Sequence, residues 1–201
     1  MSLYSEINEQ PERIKSLLVS QRKTVEQIAS AIRKRDIQYV FLAARGTSDN
    51  AGRYANYLLG AMNGLPLALA TPSLFTYYKQ PPKLKNALVI GISQSGQSPD
   101  IVSVLEEGRR QNCLTLAITN EPESSLAQSA DFVLDIQAGA EKAVAATKTY
   151  TTELMSIAML SAVIYGNKKY WNELEKVSGW IKSALKQDDF ISQAAQRYRY
   201  M

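Results

Sequence analysis

The octapeptide Ser93-Gln94-Ser95-Gly96-Gln97-Ser98-Pro99-Asp100 joins a short apolar run, Ala87–Ile92, to a helical pattern that begins near Pro99. Strand, polar loop, helix is the arrangement that aims loop amides and a helix N-terminus at an anion. Three serines add neutral donors there, and Gly96 permits a tight path with positive φ. Pro99 suits the first helical position, where its missing N–H would be unpaired anyway, and Ser98 then falls at the N-cap. A second grouping, Arg45-Gly46-Thr47-Ser48-Asp49-Asn50, follows another apolar run and opens another helix. A third, Ala138–Lys148, is rich in small residues that let a ligand or a second chain approach closely. Its Glu141 and Lys148 are candidates to bind ligand hydroxyls or simply to pair on the surface. Taken singly, each loop also reads as an ordinary capped turn that binds nothing.

The elements that must position these loops follow from periodicity. Residues 6–34 read as a helical arm opened by Pro11, with Ile14, Leu17, Leu18, Val25, Ile28 and Ile32 at a 3–4 spacing. Thr24-Val25-Glu26-Gln27 has the pattern of a capping box and sets a break near residue 23. Strands are expected at 37–43, 65–70, 87–92, 113–118 and 131–136. Helices are expected at 49–62, 72–78 and 99–111, within 119–129, and from 148 to 165. Two further helices, 168–186 and 188–200, carry apolar stripes, the second through Phe190, Ile191, Ala194, Ala195 and Tyr198.

Strands alternating with helices predict an α/β fold, a three-layer αβα sandwich on a five-stranded parallel sheet with extra helices at both termini. A two-sided apolar strand such as 37–43 fits a parallel sheet covered on both faces. In the flavodoxin-like order 2-1-3-4-5, strands one and three are neighbours and the chain leaves them in opposite directions. Loops 46–48 and 93–96 then meet in one crevice at the carboxyl edge, and that coincidence lifts both above ordinary turns.

Composition narrows the classes. The 201 residues are 45% hydrophobic and 21% charged, enough for a core of one domain with appended helices. The net charge of +4 is scattered, without a basic tract for nucleic acid, and suits an anionic metabolite. One cysteine, Cys113, excludes a disulfide framework, and with no histidine a zinc site is not expected. The N-terminus lacks the charged and apolar regions of a signal peptide, and Leu154–Tyr165 is too short to span a bilayer. These features point to a reduced, cytoplasmic protein.

Gly46-Thr47-Ser48, Ser93-Gln94-Ser95-Gly96 and the stretch from Glu141 through Val144-Ala145-Ala146-Thr147-Lys148 together resemble the SIS (sugar isomerase) domain. More closely, the chain is similar to the first of two such domains in the isomerase part of glutamine–fructose-6-phosphate aminotransferases, amino-sugar-phosphate deaminases and fructosamine-phosphate deglycases. The resemblance runs from about residue 6 to the end. It implies a phosphate-binding loop of Ser93, Gln94, Ser95 and Ser98, and sugar contacts from Thr47, Ser48, Val144 and Ala146. A serine is usual in the family at Ala146, so one side-chain hydrogen bond is missing here. Glu141 is the carboxylate that the sequence places near the sugar, without making it the base.

The resemblance also implies what is missing. The catalytic glutamate and lysine of two-domain relatives come from the second domain and its tail, and a ring-opening histidine from a neighbouring subunit. The expected layout is therefore an arm at 1–34, a sugar-phosphate domain at 35–166, and helices at 167–201 leading to a second SIS domain. The chain would form half of the active site of an isomerase, deaminase or deglycase and be inactive alone, as a dimer or larger, without metal or cofactor. The catalytic residues stay unassigned. The alternative is a non-catalytic regulatory module that binds the same sugar phosphate. A nucleotide-binding Rossmann protein is a weak third, since the loops lack G-x-G-x-x-G.

Overall fold

The computed structural model describes residues 2–199. In chain order its elements are α1 (Leu3–Ser20), α2 (Arg22–Arg33), β1 (Tyr39–Ala43), α3 (Thr47–Asn63), β2 (Leu67–Leu69), α4 (Ser73–Thr76) and β3 (Ala87–Ile92). There follow α5 (Pro99–Arg110), β4 (Leu114–Thr119), α6 (Ser125–Gln128), β5 (Phe132–Asp135), α7 (Lys148–Tyr165), α8 (Lys168–Leu185) and α9 (Asp188–Gln196). The expected last residue of the final helix, residue 200, lies outside the described residues.

The five strands form one all-parallel sheet in the order β2-β1-β3-β4-β5, as expected. Side chains alternate across it. Val40, Leu42, Leu88, Ile90, Leu116 and Ile118 enter the core under α1, α2, α3, α7 and α8. Phe41, Ala43, Ala87, Val89 and Ala117 enter the opposite core, with Ile101, Val104, Leu105 and Leu126 of α5 and α6. Every residue of β3 and β4 is buried, which is why those strands read as unbroken apolar runs. The edge strand β2 is only three residues long and half exposed.

The arm departs from expectation in two places. Pro11 does not open α1; it lies inside the helix, which starts at Leu3 with a reciprocal capping box between Ser2 and Ser5. The carbonyl of Ile7, which loses its partner at the proline, accepts instead from Gln10 Nε2 at 3.0 Å. The capping box at Thr24 does not form either. α2 restarts at Arg22 behind Gln21, and Thr24 sits inside its first turn. The reorientation at Gln21 lets Ile14, Leu17 and Leu18 and then Val25, Ile28 and Ile32 all reach the same core.

That core is built on α7. Eleven of its 18 residues are buried, and α1, α2, α3 and α8 all pack on it. α7 is thus mostly covered within the chain. No helix among the described residues is long and apolar enough to cross a membrane. Because Leu17 is fully buried between the arm and this core, Leu17→Ala should lower unfolding free energy by about 3 kcal/mol in urea titration. A loss near zero would mean that the arm does not fold with the rest.

Candidate functional site

β1 is paired with β3 over its full length, and their crossover helices lie on opposite faces. Between their carboxyl ends is a cavity of about 160 Å³ lined by Arg45, Ser48, Ser93, Gln94, Ser95 and Ser98, with Ile92 and Ile101 at its base. A larger cleft of about 510 Å³ lies at the far end of the same edge, around Arg13, Asn120, Asp135 and Gln137. The small cavity is the one at the switch point, and it is the one on which two helix starts converge.

The β3–α5 loop is fixed from behind. The Ser93 N–H donates to the Ile118 carbonyl at 3.1 Å, and the Gly96 N–H closes a turn onto the Ser93 carbonyl at 3.1 Å. The Gln94 carbonyl accepts from the Asn120 N–H and from Thr119 Oγ1. Gly96 has φ of 60°, and a Cβ there would lie 2.0 Å from Ser124 Oγ, so the position demands glycine twice over. Ser98 is the N-cap of α5 and Pro99 its first residue, yet the Ser98 side chain makes no capping bond. Its hydroxyl instead lies 3.4 Å from Ser93 Oγ.

The β1–α3 loop shows the same economy. The N-cap is Gly46, with φ of 57°, rather than Thr47, Ser48 or Asp49, and so has no side chain to spend on capping. Both helices therefore begin uncapped, with the amides of their first turns free of side-chain partners. Arg45 adds the one cation of the cavity wall and pairs with Asp100 across its mouth.

Ser48 is turned inward, and its hydroxyl donates to Glu153 Oε1 on α7 at 2.8 Å. Glu153 is 1% exposed, and its Oε2 has no partner among the described residues. Burial pushes its carboxyl up to about 7 against the opposing Ser48 hydrogen bond, and the charge of Glu141 adds to the rise.

The remaining expected residues lie outside the cavity wall. Thr47 and Val144 are exposed, and Ala146 is half-buried. Glu141 Oε1 accepts from the N–H groups of Thr147 and Lys148 and from Thr147 Oγ1, all within 2.9 Å, at the start of α7. Burial pushes its carboxyl up, but the hydrogen bonds it accepts at the start of α7 outweigh this and leave it below the usual range. Lys148 does not pair with Glu141. It is fully buried, with Nζ 2.7 Å from Glu9 of α1. That hydrogen bond is the main reason Glu9 is held below its ordinary value. Glu6, also buried, accepts from the Lys142 and Ala143 N–H groups.

Sequence reading assigned no part to Arg45, Glu153, Glu6 or Glu9. Arg45 carried a signal in its place directly ahead of Gly-Thr-Ser; the three glutamates sit in helical stretches far from the loops they touch.

The SIS domain family matches residues 34–163. A glutamine–fructose-6-phosphate aminotransferase (isomerizing) of Caldanaerobacter subterraneus subsp. tengcongensis is 36% identical over 165 residues, 79% of this chain and 27% of the relative. Among solved structures, a candidate phosphosugar isomerase from Silicibacter pomeroyi superposes with a TM-score of 0.87 at 36% identity, covering 90% of this chain and 55% of that one. The C-terminal domain of the glucosamine–fructose-6-phosphate aminotransferase of Francisella tularensis superposes with a TM-score of 0.82 at 28% identity, covering 95% and 57%. The chain spans about a third or less of the curated relatives it matches.

The Glu153 carboxyl has a signature in stability. Its folded value, about 7, stands above the ordinary 4.5, so between the two the folded state holds a proton that the unfolded state has lost. Stability from this group is complete below the ordinary value and falls as pH rises through the folded one, by about 3 kcal/mol in all. Glu153→Gln should therefore melt above wild type near about pH 8 and close to it near about pH 4. Parallel melting profiles for the two proteins would place the proton elsewhere.

Proposed function

The chain belongs to the SIS domain family, and from that premise we propose that it binds a phosphorylated hexose or aminohexose at the β1–β3 switch point. The observation that carries this reading is the meeting of two uncapped helix N-termini with Ser93, Ser95 and Ser98 in one small cavity. Its volume of about 160 Å³ suits a phosphoryl group and is too small for a whole sugar phosphate. The phosphate would sit among these hydroxyls and the Gln94 amide, with Arg45 supplying charge. The sugar would extend outward past Ser48 and Thr47 toward Glu141, Val144 and Ala146.

The names of the relatives favour fructose 6-phosphate as a ligand, and one of them also names glucosamine, whose 6-phosphate is the corresponding aminohexose phosphate. The chain would then be half of an isomerase, deaminase or deglycase site in a cytoplasmic dimer or larger assembly. Its layout would be an arm at 1–34, the binding domain at 35–166 and helices at 167–201 toward a second SIS domain. A regulatory binding module is the second reading. It is favoured by a cavity wall that carries no carboxylate and a chain that carries no histidine to move protons.

Calorimetric titration of glucosamine 6-phosphate, fructose 6-phosphate and glucosamine tests the reading. Only the phosphorylated sugars should bind, and Ser95→Ala should weaken them by about tenfold. Binding of unphosphorylated glucosamine with equal affinity would sink it. Arg45→Gln should weaken binding by a similar factor of about ten and flatten its salt dependence. An unchanged salt slope would mean that Arg45 serves Asp100 alone.

A further inference from the structure

The Glu153 carboxyl bears on the cavity without lining it. Glu153 stands one and a half turns into α7 and reaches the cavity only through Ser48 Oγ, 2.8 Å away. Ser48 is itself part of the cavity wall. An ionised carboxylate can only accept hydrogen bonds, and a serine has one O–H to give. With that O–H committed to Glu153, the lone pairs of Ser48 Oγ are what remain for a ligand.

We propose that Glu153 is a positioning residue that makes Ser48 a hydrogen-bond acceptor toward the cavity, so that Ser48 recognises a donor on the sugar, a hydroxyl or an amino group, and not an oxygen of the phosphate. This rests on the sugar-phosphate reading of the cavity. A phosphate dianion offers no proton, so its ligands must be donors, and Ser93, Ser95 and Ser98 with the two helix starts are free to act as such. The cavity then has two chemically opposite walls, one donating and one accepting, and the ligand must present acceptors and donors in that order.

The surroundings keep Glu153 committed to Ser48. Oε2 has no partner among the described residues, nor do Thr149 Oγ1 and Ser156 Oγ on the same helix, so among the described residues it is Ser48 that donates to the carboxylate. The nearby charges are engaged elsewhere. Glu141 is bonded to Thr147 and the Lys148 amide, Lys148 Nζ is held by Glu9 of α1, and on α3 Asp49 is paired with Arg53. On α2, Arg33 donates to the Val163 carbonyl at the far end of α7, and on α8 Glu175 accepts from Trp171.

NMR titrations of this 201-residue chain with fructose 6-phosphate, glucosamine 6-phosphate and inorganic phosphate decide the matter. They are run near about pH 8.5, where the buried carboxyl is ionised. Glu153→Leu, which removes the acceptor of the Ser48 O–H, should weaken both sugar phosphates by about tenfold and leave inorganic phosphate within about twofold of wild type, whereas Glu153→Gln, whose amide oxygen still accepts that O–H, should stay closer to wild type. Ser48→Ala should match Glu153→Leu, and the double variant should be no weaker than Ser48→Ala alone, because the glutamate acts through the serine. Equal weakening of inorganic phosphate, additive losses in the double variant, or no loss in Glu153→Leu would each overturn the proposal. A wild type that binds none of the three titrants would overturn the sugar-phosphate reading with it. That failure is distinct from one in which wild type binds and the variants do not separate sugar phosphate from phosphate.

Discussion

The site depends on one constraint, the parallel hydrogen bonding of β1 to β3. Five residue pairs, Tyr39 with Ala87 through Ala43 with Gly91, lock these strands in register. Strand β1 is followed by α3 on one face and β3 by α5 on the other. Two chains leaving adjacent strand ends in opposite directions must open a gap between them. No side chain has to be arranged for that gap to exist. Shifting the register by one residue would turn Val40, Leu42, Leu88 and Ile90 out of their core, so burial on both faces holds the gap in place.

What fills the gap is donor capacity left unspent. Helix starts ordinarily satisfy their first amides with a serine, threonine or aspartate cap. Here Gly46 has no side chain, and Ser98 makes no capping bond. The loop behind them is held by contacts that point away from the cavity: Ser93 to Ile118, Gln94 to Asn120 and Thr119, Gly96 to Leu126. Backbone donors fixed in advance lose little freedom when an anion arrives, and that preorganisation would let neutral groups hold the proposed phosphate. Arg45 and Asp100 then balance charge at the mouth instead of forming its floor.

The sheet and the two loops were legible because their signals are local. A strand buried on both faces reads as an apolar run, and its loop reads as glycine, hydroxyls and a helix start. Ala87–Ile92 is observed at its expected limits, whereas the edge strand, expected at 65–70, spans only Leu67–Leu69, with Pro66 and Ala70 each making one hydrogen bond to β1 at its two ends. Local signals misled where tertiary packing overrode them. Thr24 looked like a cap, but the core needed α2 to start earlier, at Arg22. Pro11 looked like a helix start, but Gln10 satisfies the carbonyl it orphans. Glu153 was illegible for a different reason. It sits in a mostly apolar helix 105 residues from Ser48, and nothing local marks a partner so distant.

The arm matters for the same reason. Read alone, residues 3–33 are amphipathic helices with no chemistry. In the fold, Glu6 and Glu9 reach across to the loop ahead of α7, one onto the Lys142 and Ala143 amides and the other onto Lys148 Nζ. A fully buried ammonium is costly without its partner, so Lys148 cannot settle until α1 is docked. Glu141 then closes the start of α7 from the other side, through Thr147 and the Lys148 amide. The loop that the family resemblance assigns to the sugar is therefore shaped by carboxylates on both sides. One pair belongs to a helix more than 130 residues earlier in the chain. A buried pair such as Lys148 with Glu9 contributes little net stability, so its consequence here is geometric: it ties the start of α7 to α1.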